Sequence, residues 1–299
     1  MDARDYLAEE VALDHADGLL SRREALRRLG LLGLGAGAAA ALLGAAASPG
    51  ARAAGRGRPA ARTEARPASP VLARDVSFRG PDGRRLLGAF AAARRPKGSV
   101  LVIHENRGLT DHIRSVAGRL AGNGYSALAV DLLSEEGGTR AIGDEARIMA
   151  ALAAAPARFV ADMRAGLTEL GRRVPGRRSA AVGFCFGGGQ VWNLVNSGDR
   201  RLVAAVPFYG PSPQTPNFAR SRAAVLAIYG GLDARVNATR DRAIAALRRA
   251  RLPYRVRTFP GAEHAFFNST GPRYNPVAAR QAYRELLRWF ELHVARSGS

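Results

Sequence analysis

The chain has a single cysteine, Cys185, set in Ala180-Ala181-Val182-Gly183-Phe184-Cys185-Phe186-Gly187-Gly188. An apolar run, a glycine, a nucleophile-type residue and further glycines, leading into a helix-like segment, form the layout of a nucleophile elbow with cysteine in place of serine. A sharp strand-to-helix turn strains the central residue and crowds its neighbours, so the flanking positions call for glycine. Phe186 then offers its backbone N–H at the start of a helix, where an oxyanion is stabilised. Taken alone, the stretch fits a buried structural cysteine beside a tight turn equally well.

A thiol with a pKa near ~8.5 is mostly protonated at neutral pH and needs a base to become a nucleophile. Asp233 and His264 supply the missing roles. Asp233 follows the apolar run Val225-Leu226-Ala227-Ile228-Tyr229 through Gly230-Gly231-Leu232, and His264 follows Tyr254–Phe259 through Pro260-Gly261-Ala262-Glu263. Nucleophile, acid, base is the chain order of α/β-hydrolases. The imidazole would take the thiol proton, and the carboxylate would fix its tautomer and stabilise the imidazolium. A lone Asp after a strand is commonly a turn or helix cap, as Asp131 could be, and His15, His104, His112 and His293 read as surface or core histidines. Three such groups at strand ends in this order point to catalysis.

The elements that must position them alternate. Strands are expected at 75–78, 86–91, 99–104, 126–130, 180–183, 202–208, 225–229 and 254–259. Helices are expected from Thr110 or Asp111 to Asn123, over 144–172 with a break near Pro156, after the elbow, over 238–249 and over 276–293. Val100-Leu101-Val102-Ile103 is continuously apolar, as in a strand buried on both faces. The class is therefore α/β, a mainly parallel sheet with helices on both faces, and its chemistry gathers at the carboxyl ends of the strands.

His104-Glu105-Asn106-Arg107-Gly108 follows the early buried strand, where hydrolases of this fold place a second oxyanion donor. With this stretch, the Gly183–Gly188 elbow, Gly230–Asp233 and Gly261–Phe266, the chain from about Val71 onward resembles the dienelactone hydrolase (carboxymethylenebutenolidase) family of α/β-hydrolases. The resemblance implies Cys185 as nucleophile, His264 as base and then acid, Asp233 as orienting carboxylate, and the backbone N–H groups of Asn106 and Phe186 as the oxyanion hole. Glu105 resembles the family glutamate that lies beside the cysteine and helps to generate its thiolate when substrate binds. Dienelactone-cleaving members carry an arginine shortly after the histidine. Here His264-Ala265-Phe266-Phe267-Asn268 places asparagine there, and a charged guanidinium cannot be replaced by an amide. For a second family arginine, Arg140, Arg147 and Arg107 are candidates. Arg107, Tyr209, Phe266 and Asn268 are candidate pocket residues, with core packing an equal expectation for Tyr209, Phe266 and Phe267.

Upstream of this domain, residues 1–20 are polar and of mixed charge. Ser21-Arg22-Arg23-Glu24-Ala25-Leu26-Arg27-Arg28 then precedes an uncharged run from Leu29 to Ala47 and small-residue sites at 45–47 and 51–53. This pattern resembles a twin-arginine export signal over 1–54, with export to the periplasm or cell exterior. The alternative is a membrane anchor through 29–47, which the many glycines and alanines make a poor span. Residues 55–70 read as a basic Pro/Ala/Arg linker, and 71–299 as the hydrolase domain.

The net charge of +20 is almost all arginine, scattered without interleaved aromatics or a nucleic-acid motif, so solvated faces are expected and a nucleic-acid partner is not. One cysteine makes no intramolecular disulfide. No metal site or cofactor motif is expected; Gly187-Gly188-Gly189 belongs to the elbow. The expected protein is an exported cysteine hydrolase acting on a small-molecule ester or lactone through an acyl-thioester. It would be a monomer or small homo-oligomer with no stable membrane insertion after signal cleavage. The rival is a noncatalytic, envelope-associated binding protein that keeps the fold.

Overall fold

A computed structural model of the protein describes residues 3–46 and 69–295. The small-residue site at 51–53 and nearly all of the 55–70 linker lie outside the described residues.

Eight strands form one sheet: β1 (Arg74–Arg79), β2 (Arg85–Ala91), β3 (Gly98–Ile103), β4 (Tyr125–Asp131), β5 (Ser179–Phe184), β6 (Leu202–Phe208), β7 (Ala224–Gly230) and β8 (Tyr254–Phe259). Their spatial order is β1-β2-β4-β3-β5-β6-β7-β8. The first two strands pair antiparallel, as do β2 and β4, and every later pairing is parallel. Each residue of β3, β4, β5 and β7 is buried. Their unbroken apolar character is the consequence of being covered on both faces rather than one.

The covering helices are α4 (Asp111–Gly122), α7 (Pro156–Arg173), α8 (Phe186–Asn196), α10 (Arg240–Arg249) and α11 (Pro276–Phe290), with short turns α5 (Thr139–Ile142) and α9 (Ala234–Asn237) and the helix α6 (Glu145–Ala154) between them. The break expected near Pro156 lies there: α6 ends at Ala154, and Pro156 opens α7 at a position where its missing N–H costs nothing. Asn275 caps α11 by accepting from the Ala278 N–H at 3.0 Å.

The N-terminal segment also folds, into α1 (Ala3–Ala16), α2 (Arg22–Leu31) and α3 (Ala36–Ala46). Ser21 accepts from the Glu24 N–H at 3.2 Å, so the stretch that reads as a twin-arginine motif is also a helix start of the Ser-x-x-Glu kind. The uncharged run is not one helix. It is divided by a turn at Leu32–Gly35, with Gly33 at φ 80°, and among the described residues no helix is long and apolar enough to cross a membrane. Both arginines at the end of the basic stretch reach α6: Arg27 pairs with Asp144 at 3.0 Å and Arg28 with Glu145 at 3.2 Å. The expectation that the folded region begins near Val71 therefore stops short, because α1, α2 and α3 pack on one another, α2 and α1 pack on α6, and α1 touches α8.

Candidate active site

Cys185 stands between β5 and α8 with φ 56° and ψ −121°, a conformation unusual for any residue with a side chain. The turn closes so tightly that a Cβ on Gly183 would overlap the carbonyl of Gly187, and a Cβ on Gly187 would strike the carbonyls of Ile103 and His104. The Cys185 N–H donates to the Phe208 carbonyl at 3.1 Å, which pins the strained residue to β6. Phe186 is the first residue of α8, with its N–H at the helix's positive end.

Asp233 leaves β7 as the N-cap of α9, with Oδ1 accepting from the Val236 N–H at 3.2 Å. Its other oxygen, Oδ2, lies 2.6 Å from Nδ1 of His264, which lies beyond β8. Burial opposes ionisation of Asp233, but the His264 charge and hydrogen bond hold its carboxyl below the usual range. Cys185 Sγ lies within 4.8 Å of the His264 ring. All three predicted groups therefore meet at the strand carboxyl ends. Cys185 is 3 % exposed and His264 6 %.

Glu105 is brought to the same place from the end of β3. Its Oε2 accepts from Asn268 Nδ2 at 2.6 Å, while Oε1 is buried with no hydrogen-bond partner. Burial pushes its carboxyl up to about 7, against the lowering effects of Asn268 and His264. The loop carrying Glu105 is held by two buried polar residues. His104 lies with Nδ1 2.7 Å from the Glu105 carbonyl and accepts from the Leu132 N–H through Nε2 at 3.1 Å, which fixes a neutral tautomer. Asp131 accepts from the Thr139 N–H, the Thr139 hydroxyl and the Leu133 N–H at 2.7, 2.9 and 3.1 Å, and Thr139 Oγ1 in turn accepts from the Leu109 N–H at 2.8 Å. Both residues are scaffold.

The expected pocket residues divide. Tyr209 packs edge-on to His264 with ring centroids 5.1 Å apart, and burial followed by the Glu105 carboxylate pushes its phenol well above the ordinary value. Asn268 belongs to the site through Glu105. Phe266 is fully buried between Tyr209 and Phe259, so it is core rather than a free pocket wall. Arg107 turns outward, half-exposed, and pairs with Glu145 of α6. Its charge nonetheless reaches Glu105 and lowers that carboxyl slightly against the effect of burial. Asn106 lies in the turn between Glu105 and Gly108.

The sequence reading missed the groups that α1 brings. Tyr6 Oη lies 3.2 Å from Cys185 Sγ and 3.4 Å from His264 Nε2, and Glu10 Oε1 lies 3.6 Å from the same Nε2. The other Glu10 oxygen pairs with Arg235, whose guanidinium lies 4.3 Å from the Tyr6 ring centre. Arg273 pairs with Asp14 at 2.9 Å and Asp17 at 2.7 Å. Tyr6, Glu10 and Asp14 recur every fourth residue, a helical spacing that marks one face and was visible in the sequence. Burial opposes a charge on His264, but Glu10 and Asp233 overcome it and hold the imidazole well above its ordinary value; burial and then Glu10 push the Cys185 thiol up. Glu10, Cys185 and His264 offer ligand atoms within 4.8 Å of one another, but the Tyr6 hydroxyl already bridges Sγ and Nε2 there.

A mainly parallel eight-stranded sheet with an elbow cysteine, a strand-end aspartate and a strand-end histidine defines the α/β-hydrolase class. The sequence profile of the dienelactone hydrolase family matches residues 87–294, and the chain belongs to that family. A protein of Escherichia coli O157:H7 provisionally named carboxymethylenebutenolidase is 31% identical over 217 residues, covering 66% of this chain and 80% of its own. One of the same provisional name from Saccharolobus solfataricus is 27% identical over 245 residues, covering 70% and 95%. The crystal structure of a provisionally assigned dienelactone hydrolase from Klebsiella pneumoniae superposes with a TM-score of 0.65 at 27% identity, covering 74% of this chain and 99% of that one. The protein is thus a dienelactone hydrolase-like hydrolase. Helices α1, α2 and α3 lie outside the family match.

Proposed function

We propose that the protein is an exported cysteine hydrolase that opens an ester or lactone through an acyl-thioester. The observation that carries this reading is the 2.6 Å contact of Asp233 with His264 Nδ1, with the Tyr6 hydroxyl linking the other ring nitrogen, Nε2, to Cys185 Sγ. The contact fixes the tautomer whose Nε2 can take a proton.

His264 Nε2 removes the thiol proton, and Cys185 Sγ attacks the carbonyl carbon. The backbone N–H groups of Phe186 and Asn106 hold the oxyanion. As the tetrahedral species collapses, the C–O bond breaks, and the leaving oxygen takes the proton from His264. Water, deprotonated by His264, then attacks the thioester; the acid is released, and the thiol regains its proton. Glu105, its carboxyl raised to about 7, takes no proton in these steps; when ionised, its negative charge raises the thiol pKa and disfavours a standing thiolate by like-charge repulsion.

With Asn268 bonded to Glu105, the position after the histidine contributes no cation for a substrate carboxylate. Neutral aryl esters and lactones are therefore expected to be turned over at least as well as a dienelactone. Residues 1–54 direct export, supported by the Ser21-Arg22-Arg23 pattern ahead of the uncharged run.

The test is hydrolysis of a panel of small aryl esters and lactones, including a dienelactone, by the full chain and by Cys185→Ala. Turnover confined to the cysteine form supports the reading. Equal turnover by both, or none by either once the thiol is accessible, refutes it.

A further inference from the structure

The catalytic thiol and imidazole are covered by the chain's own N-terminal helix. Tyr6 bridges Sγ and Nε2, and Glu10 lies against the same Nε2, so α1 fills the space beside the thiol and imidazole that a substrate's carbonyl group would have to enter. We propose that α1 is an inhibitory ligand bound in cis, an acidic helix seated in the substrate site with Arg235 and Arg273 as the receptors of its carboxylates. The inference rests on the hydrolase reading above, since it is the substrate's place that α1 takes.

The contact has the chemistry of recognition. One face of α1 presents Tyr6, Glu10, Asp14 and, one residue beyond its end, Asp17. The domain meets it with two arginines whose side chains are each only 12% exposed. Arg235 caps the Tyr6 ring while binding Glu10, and its Nη1 also lies 3.9 Å from the Glu9 carboxylate of the same helix. Arg273 holds Asp17 through both Nε and Nη2, at 3.0 and 2.7 Å. A second fastening lies away from the thiol, where α2 meets α6 through Arg27–Asp144 and Arg28–Glu145.

Docking also sets the protonation states against catalysis. The Glu10 carboxylate favours the imidazolium and the neutral thiol, so the base already holds its proton and the nucleophile keeps its own. Tyr6, Glu10, Asp14, Glu105, Tyr209, Asp233 and Arg235 are charged or titratable groups facing this pair. Withdrawing α1 removes Glu10 and frees Nε2 while leaving Asp233 in place. Because α1, α2 and α3 all fall within the 1–54 leader, removal of the leader on export would release the inhibitor and expose the site.

The test is the rate of Cys185 alkylation by iodoacetamide, followed by intact mass, which needs no ester. The full chain is compared with Asp14→Ala/Asp17→Ala and, independently, with Arg28→Ala, which loosens α2 at a distance; circular dichroism confirms that each is folded. Alkylation at least about tenfold faster in the variants, the factor that ~1.4 kcal/mol of lost docking gives, is expected, with aryl ester hydrolysis rising alongside. Faster alkylation with no ester turnover upholds the docking and counts against the hydrolase reading. Folded variants that alkylate at the unaltered chain's rate, or turnover that falls while alkylation is unchanged, overturn the inference.

Discussion

Asn268 Nδ2 lies 2.6 Å from Glu105 Oε2, a hydrogen bond between residues 163 apart in sequence. The asparagine that stands where the resemblance implies a substrate arginine is occupied inside the site, holding the one carboxylate expected beside the thiol. Its Oδ1 is also engaged, accepting from the Thr270 N–H at 3.0 Å and the Thr270 hydroxyl at 2.7 Å. Asn268→Ala should therefore cost ~1–3 kcal/mol of stability, because Glu105 loses its hydrogen bond while staying buried. Urea unfolding at neutral pH measures this, and a loss within a few tenths would show that the bond carries little.

Glu105 predicts a pH dependence with a definite sign. Its carboxyl is raised from 4.5 to about 7, so the folded state holds this proton more tightly than the unfolded state. The stabilisation from that proton is complete below about pH 4.5 and is lost as the pH rises through 7. Glu105→Gln never carries the charge, so its stability relative to the unaltered chain should grow between pH 5 and pH 8 by on the order of 3 kcal/mol. A stability difference that stays flat over that range would place the titration elsewhere.

Asp233→Asn tests the orienting carboxylate. The amide keeps the size of the side chain but can present its NH2 to Nδ1, favouring the wrong tautomer; in another triad such a change lowers kcat ~10⁴-fold. A drop of that order is expected, measured in a form with the thiol accessible. A loss below tenfold would mean that His264 is oriented by something else.

Gly183→Ala should be disruptive although it adds a single methyl. The new Cβ would overlap the Gly187 carbonyl, which is backbone and cannot swing aside. Overpacking of this kind costs ~1–3 kcal/mol, and displacement of Cys185 would lower turnover as well. Thermal unfolding together with ester turnover measures both, and an unchanged variant would contradict the tight elbow.

The central strands were legible because continuous apolar runs such as Val100–Ile103 have one economical explanation, burial on both faces. The three catalytic candidates were legible because each ends a strand, and the topology brings strand ends together. The docking of α1 was not. The four-residue spacing of Tyr6, Glu10 and Asp14 marks one helical face, but nothing local says what that face meets. The stretch after Ser21 allowed two readings, a helix cap and an export motif, and only the first depends on local geometry. The partner of Arg107 was not legible either: Glu145 lies 38 residues on, and tertiary structure brings the two together.

The measurement that bears most directly on the central claim is to quench the Asp14→Ala/Asp17→Ala chain rapidly during turnover of p-nitrophenyl acetate and map the adduct by peptide mass. One acetyl group on the peptide bearing Cys185, absent when Cys185→Ala is added, is the predicted result. Turnover that persists in the Cys185→Ala form, with no acyl group on that peptide at any time, would contradict a cysteine hydrolase.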